Sequence, residues 1–186
     1  MGTLKAKLIK NFLDESEVVH LSNYTFLYHT YNNTTFDEQI KLTNNRDTGV
    51  YSDYFTESIM LRKKLLIEKE TKLKLLPTYS YWRTYTNNAV LTKHKDRNAC
   101  EISCTIQVAS CGKKWPIYVG DEEYILESGD GLIYDGINNV HYRNNFEGDF
   151  STNVFIHHVN AEGKYKSYAY DTRSFLGAHQ NTRTKV

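Results

Sequence analysis

Proline occurs only twice and cysteine three times in 186 residues, and no apolar run approaches the ~20 residues of a membrane-spanning helix. So little proline excludes a proline-rich linker or a polyproline ligand. Cys100, Cys104 and Cys111 are odd in number and lack zinc-finger spacing. They are therefore read as free thiols in a reducing compartment rather than as a disulfide scaffold. The opening MGTLKAKLIKNFLD has none of the apolar stretch of about 7–15 residues that marks a secretory signal, so a soluble cytoplasmic protein is expected. Charge of one sign is missing as well. Lys+Arg total 23 against 22 Asp+Glu, a net charge of +1, and nothing here draws a nucleic acid or an anionic membrane by bulk electrostatics. What is abundant is tyrosine, 15 residues of it, together with Asn, Thr and Lys. That composition suits short β-strands. The length fits one domain able to bury a core without staples.

Along the chain, residues 8–13 are apolar and strand-like, and Asp14 with Glu17 forms a capping-box pattern that opens a helix. Residues 44–49 (Asn-Asn-Arg-Asp-Thr-Gly) read as a turn. After it, residues 51–72 carry Phe55, Ile59 and Leu66 at near-helical spacing among charges, a second helix that Pro77 is expected to stop. Short β-segments follow at 78–86, 100–110, 115–119, 124–126, 132–134, 140–143 and 152–159, separated by Asn, Gly and Asp. In 100–108, Cys100, Ile102, Cys104, Ile106 and Val108 alternate with Glu101, Ser103, Thr105 and Gln107, which puts the two sets on opposite faces. The expected architecture is mainly β (α+β): a double-stranded β-helix of the jelly-roll or cupin kind, braced on one outer face by N-terminal helices. Residues 1–186 are read as one domain, with 1–76 as helical and strand support, 77–160 as the jelly-roll core and 161–186 as a C-terminal extension.

His94-Lys95-Asp96 places two ligand-type side chains two residues apart, on one face of an extended segment. His141 follows Gly129-Asp130-Gly131-Leu132-Ile133-Tyr134, where an antiparallel meander can return the chain beside that pair. Two imidazoles and one carboxylate on one face make a facial triad that leaves coordination positions open for chemistry. The H-x-D triplet alone is a weak signal, since such pairs more often sit in surface loops. The order of several further motifs adds to it. Tyr81-Trp82-Arg83-Thr84-Tyr85, His94-x-Asp96, Cys100-Glu101-Ile102-Ser103, Trp115-Pro116-Ile117, Gly129-Asp130-Gly131 with Tyr134, and His141 follow one another as they do in the iron(II) and 2-oxoglutarate-dependent oxygenases, and the stretch 75–159 resembles their prolyl-hydroxylase-like branch.

The resemblance implies Fe(2+) held by His94, Asp96 and His141, with 2-oxoglutarate and O2 as co-substrates. It implies hydroxylation of a C–H bond of a peptide or amino-acid side chain, with release of succinate and CO2. Tyr85, nine residues before His94, falls where the family lines the 2-oxoglutarate pocket. A half-buried strand aromatic is its plain alternative. The family's Arg or Lys ten residues after the distal histidine, which pairs with the far carboxylate of 2-oxoglutarate, is replaced here by Ser151. Another cation must then serve. Arg143 ranks first, because period-two geometry turns it to the same interior as His141; Arg97, next to Asp96, ranks second, and Arg83, sharing a face with Tyr85, third. Plain readings for the last two are a surface pair with Glu101 and an exposed strand charge. Ser103, Thr105 and Gln107 either add hydrogen bonds to the co-substrate or form a solvated sheet face. His157 and His158, adjacent on a strand, cannot reach one metal together and are read as structural. His20, His29 and His179 are read as surface residues.

Two further readings stand beside this one. The same chemistry acts on a free small molecule or nucleotide, or the chain is a non-catalytic metal-binding jelly-roll module whose co-substrate pocket has decayed at residue 151. A zinc hydrolase is disfavoured because no H-E-x-x-H motif is present.

Overall fold

The computed structural model describes residues 4–31 and 47–178. A short strand, β1 (Lys7–Ile9), leads to helix α1 (Glu15–Tyr31). The start of α1 is fixed locally, because Glu17 N–H donates to Asp14 Oδ1 and Asp14 N–H to Glu17 Oε2, both at 2.8 Å. These reciprocal bonds satisfy donors that a helix start leaves free. Strand β2 (Thr48–Tyr51) and helix α2 (Tyr54–Thr71) follow. The helix therefore begins later than residue 51. Asp53 stops the strand and caps the helix, its side chain accepting from Phe55 N at 2.8 Å and Thr56 N at 3.0 Å. It also ends without Pro77: Lys72 turns left-handed (φ 61°) and its N–H reaches Glu68 O at 2.8 Å.

Pro77 instead lies inside β3 (Leu75–Thr86). It is tolerated there because β2 reaches only to Tyr81 on one side, while on the other the register of the partner strand breaks between Ile156 and His158. The remaining strands are β4 (Leu91–His94), β5 (Ile102–Ser110), β6 (Ile117–Val119), β7 (Glu122–Tyr124), β8 (Gly131–Tyr134), β9 (His141–Arg143) and β10 (Phe150–Asn160). A 3-10 turn (Asn98–Cys100) links β4 to β5, and a 3-10 segment (Lys166–Thr172) follows β10. His179 and the tail from Gln180 lie outside the described residues, as does the first part of the turn expected over 44–49.

The strands pair antiparallel in two sheets, ordered β1-β8-β5-β10-β3-β2 and β4-β9-β6-β7. This is a double-stranded β-helix. Both helices cover the outer face of the larger sheet, where Leu21, Ile59, Met60 and Ile67 meet Trp82, Ile102, Cys104, Ile106, Val108, Val154 and Ile156. Burial of each such aliphatic side chain contributes about 1.5–3 kcal/mol. The apolar half of the β5 alternation thus faces the helices, which leaves the polar half to line the interior between the sheets. Among the described residues no helix is long and apolar enough to cross a membrane.

Candidate metal centre

Antiparallel pairing sets His94 of β4 directly opposite His141 of β9, with ring centroids 4.2 Å apart. Asp96, just past the end of β4, is anchored by its N–H to Gly136 O at 2.9 Å. Its Oδ1 lies 3.4 Å from His141 Nε2 and 3.7 Å from His94 Nε2. Donor atoms of the three side chains all fall within 4.8 Å of one another. His94 Nδ1 is 2.8 Å from Thr92 O and His141 Nδ1 is 3.0 Å from Asn139 O. A carbonyl can only accept, so each Nδ1 carries the proton of the neutral ring and each Nε2 presents a bare lone pair. Two lone pairs and a carboxylate oxygen then converge on one point. That arrangement repels itself unless a cation stands between them, and the mixed N/O donor set suits a first-row divalent metal such as iron(II).

Electrostatics reinforce this. Burial, followed by the neighbouring His141, pushes His94 below its ordinary value and keeps it neutral. Burial works against ionised Asp96, but the adjacent imidazoles of His141 and His157 and the hydroxyl that Ser103 donates outweigh that and hold the carboxyl below its ordinary value. The cluster is part open, with side-chain exposures of 33% for His94, 15% for Asp96 and 3% for His141.

Two residues beyond His141 on the same face, Arg143 is buried in the interior. One terminal nitrogen donates to Trp115 O and the other to Asn153 Oδ1 at 3.0 Å, while Nε has no partner. Among the described residues no carboxylate lies within ion-pair distance of it. Burial drives its pKa down from the ordinary guanidinium value to about 10, with only partial relief from Tyr85 and Tyr134. That fall corresponds to about 3 kcal/mol of lost cation stabilisation. A carboxylate brought into contact would restore it, so Arg143 is a buried cation in want of an anion.

Tyr85 is buried nearby and meets Trp115 edge-on at 4.9 Å. Tyr134, its ring 4.9 Å from that of His141 and tilted to it at 58°, has its hydroxyl 3.2 Å from Thr105 Oγ1. Ser103, Thr105 and Gln107 are buried on this inner face, so the solvated-face alternative does not hold for them. Ser151 hydrogen-bonds Gln107 and borders a surface cavity that it shares with Lys113, Lys114 and Trp115. The other two arginines are already committed. Arg83 pairs with buried Asp47 at 3.3 Å. Arg97 forms a two-pronged ion pair with Asp171 of the C-terminal segment, not with Glu101, and lies 4.4 Å from the Tyr79 ring.

Sequence reasoning undervalued His157. Opposite facing of His157 and His158 is what the structure has, but the inward member sits beside the metal cluster: its Nδ1 is 2.9 Å from Ser103 Oγ, which is itself 2.9 Å from Asp96 Oδ2. The alternation of β10 was a readable signal for a pair of opposed faces; which face met the site required the sheet order.

No protein-family model matches the sequence, and no curated protein does. Solved structures match in shape. The non-haem alpha-ketoglutarate-dependent epimerase SnoN from nogalamycin biosynthesis aligns over 84% of this chain and 78% of its own, with TM-score 0.68 and 11% identity. HygX from Streptomyces hygroscopicus, solved with nickel and 2-oxoglutarate, aligns over 86% and 84%, with TM-score 0.65 and 12% identity. The viral collagen prolyl hydroxylase of Paramecium Bursaria Chlorella virus-1, in complex with 2-oxoglutarate, aligns over 82% and 94%, with TM-score 0.60 and 10% identity. At such identities the likeness establishes the fold, the double-stranded β-helix on which those proteins are built.

Proposed function

We propose that this protein is a non-haem iron(II) and 2-oxoglutarate-dependent oxygenase. The observation that carries the reading is the convergence of His94 Nε2, His141 Nε2 and Asp96 Oδ1 on one point, at the same barrel interior as a buried Arg143 that lacks an anion. His94, Asp96 and His141 hold the iron, three protein ligands that leave its remaining positions free. When bound, iron with 2-oxoglutarate and O2 supplies the oxidising chemistry, and succinate and CO2 are released.

The chain's own residues bind and orient. Arg143, on the strand that carries His141, takes the far carboxylate of 2-oxoglutarate in a charge-assisted contact, replacing the cation that Ser151 does not supply. Tyr85, Tyr134 and Thr105 line that pocket and exclude water from it. Arg97, spoken for by Asp171, serves the rim of the metal site rather than the co-substrate. The part-exposed His94 marks the side from which substrate reaches the metal.

For the substrate, we propose a C–H bond of a peptide or amino-acid side chain, a reading supported by the shape shared with a collagen prolyl hydroxylase. A free small molecule is the second reading. It is supported by the shape shared with SnoN and with HygX, the latter also solved with hygromycin B bound. Fold likeness does not choose between them.

The test is anaerobic titration of apo-protein with iron(II) and then 2-oxoglutarate, following the visible charge-transfer band of the chelate. Wild type should show the band, His94→Ala should lose it, and Arg143→Met should need about 100-fold more 2-oxoglutarate while still binding iron. Metal binding without any band in wild type would overturn the oxygenase reading.

A further inference from the structure

Asp96 has two oxygens, and the structure treats them differently. Oδ1 faces the two histidines, whereas Oδ2 accepts from Ser103 Oγ at 2.9 Å. Ser103 has one proton to give and two acceptors competing for it: Asp96 Oδ2, and Cys100 O at 3.2 Å. Its oxygen also lies 2.9 Å from His157 Nδ1. If that Nδ1 were bare, it would be a third acceptor and would draw the proton away from Asp96. Protonated, it donates to the Ser103 oxygen and leaves the serine proton to the carboxylate. The tautomer of His157 thus sets how many acceptors compete with Oδ2 for the one proton of Ser103.

The imidazole is itself held. It is 6% exposed, and the Tyr79 ring lies 4.6 Å away at 33°. Gly136 closes the other side of the same cradle: a Cβ there would stand 2.4 Å from Asp96 Oδ2 and 2.5 Å from Ser103 Oγ. Only a residue without a side chain leaves room for the serine and carboxylate to meet.

We propose that His157, acting through Ser103, is a positioning residue for the metal centre: it holds one oxygen of Asp96 away from the ion and leaves the other to bind. The proposal rests on the reading of His94, Asp96 and His141 as metal ligands. Because the path runs through one hydroxyl, removing Ser103 should make His157 irrelevant to the metal.

The experiment is titration of folded apo-protein with cobalt(II) as the probe ion, reading both the dissociation constant and the visible cobalt spectrum, in wild type, His157→Leu, His157→Asn, Ser103→Ala, the Ser103→Ala/His157→Leu double variant, Cys100→Ser and His94→Ala. His157→Leu should weaken cobalt binding about 10- to 100-fold and shift the cobalt bands. His157→Asn, which keeps an N–H near the place of Nδ1, should bind within a few-fold of wild type, and the double variant should bind no worse than Ser103→Ala. A merely structural role would lower the unfolding temperature and leave the spectrum unchanged.

Wild-type affinity and spectrum in His157→Leu would overturn the proposal, as would additive losses in the double variant. So would a second cobalt equivalent with a thiolate-to-metal band that Cys100→Ser abolishes. Asp96, Cys100 and His157 donor atoms lie within 4.8 Å of one another, and that result would make His157 a ligand. Should His157→Leu fail to fold, His157→Asn binding no tighter than His157→Gln overturns the proposal just as well. Cobalt that ignores wild type, or that binds His94→Ala equally well, sinks the metal-centre reading itself, a separate result.

Discussion

On β5, Ile102, Cys104, Ile106 and Val108 face the helices while Ser103, Thr105 and Gln107 face the interior, and both sets are buried. On β10 the outward Val154 and Ile156 alternate with inward Ser151, Asn153 and His157 in the same way. The outer face gains its stability chiefly from apolar contact. The inner face buries polar groups that need partners and supplies most of them from one another: Gln107 with Ser151, Asn153 with Arg143, Ser103 with Asp96 and His157. Burial therefore does not distinguish a supporting face from a working one; hydrogen-bond connectivity does.

Adjacent His157 and His158 sharpen the point. The inward ring is partnered by Ser103, whereas the outward ring has neither nitrogen partnered.

The largest effect that would break the contrast lies at the metal. Asp96→Ala should reduce iron affinity by more than about 100-fold and abolish 2-oxoglutarate decarboxylation, leaving the urea midpoint of apo-protein close to wild type; a collapsed midpoint would show the inner face to be structural after all. Next comes the outer face. Ile106→Ala should lose about 2–5 kcal/mol in urea unfolding while the folded fraction binds iron as before.

A third effect is pH-dependent. Burial holds His157 down at about 4 and His158 at about 3, against 6.5 in an unfolded chain. Between pH 6.5 and those values the unfolded chain binds more protons, so stability is complete above 6.5 and falls as acid is added, by up to about 1.4 kcal/mol per pH unit for each ring. His158→Leu should remove one such contribution, flattening the slope without touching metal affinity at neutral pH. Smallest is Asp14→Ala, expected to cost about 1 kcal/mol through the lost cap of α1, visible in thermal unfolding and silent in activity.

What could be read from the chain was what local rules decide. The Asp14–Glu17 box, the β5 alternation and the inward facing of Arg143 two residues past His141 depend on periods of 3.6 and 2 and on neighbours a few residues away. The start of α2 was legible too, in Asp53, but the apolar periodicity ran past that signal into β2. Nonlocal partners stayed hidden. Nothing near Arg97 announces Asp171, and nothing near Arg83 announces Asp47; each pair is made by the sheet and by what folds across it. The short strand β4 was invisible because only Leu91 of Leu91–His94 is buried, while Thr92 and Lys93 stand exposed.

A central place in the larger sheet belongs to β10, the last in sequence of the described strands, lying between β3 and β5. Until residues 150–160 exist, β3 and β5 have no shared neighbour, and the loop between them cannot be closed by pairing. A chain still being made thus holds His94, Asp96 and His141 without the strand whose His157 meets Ser103 beside Asp96. The polar inner face behind these three side chains is therefore completed only when β10 pairs with both β3 and β5.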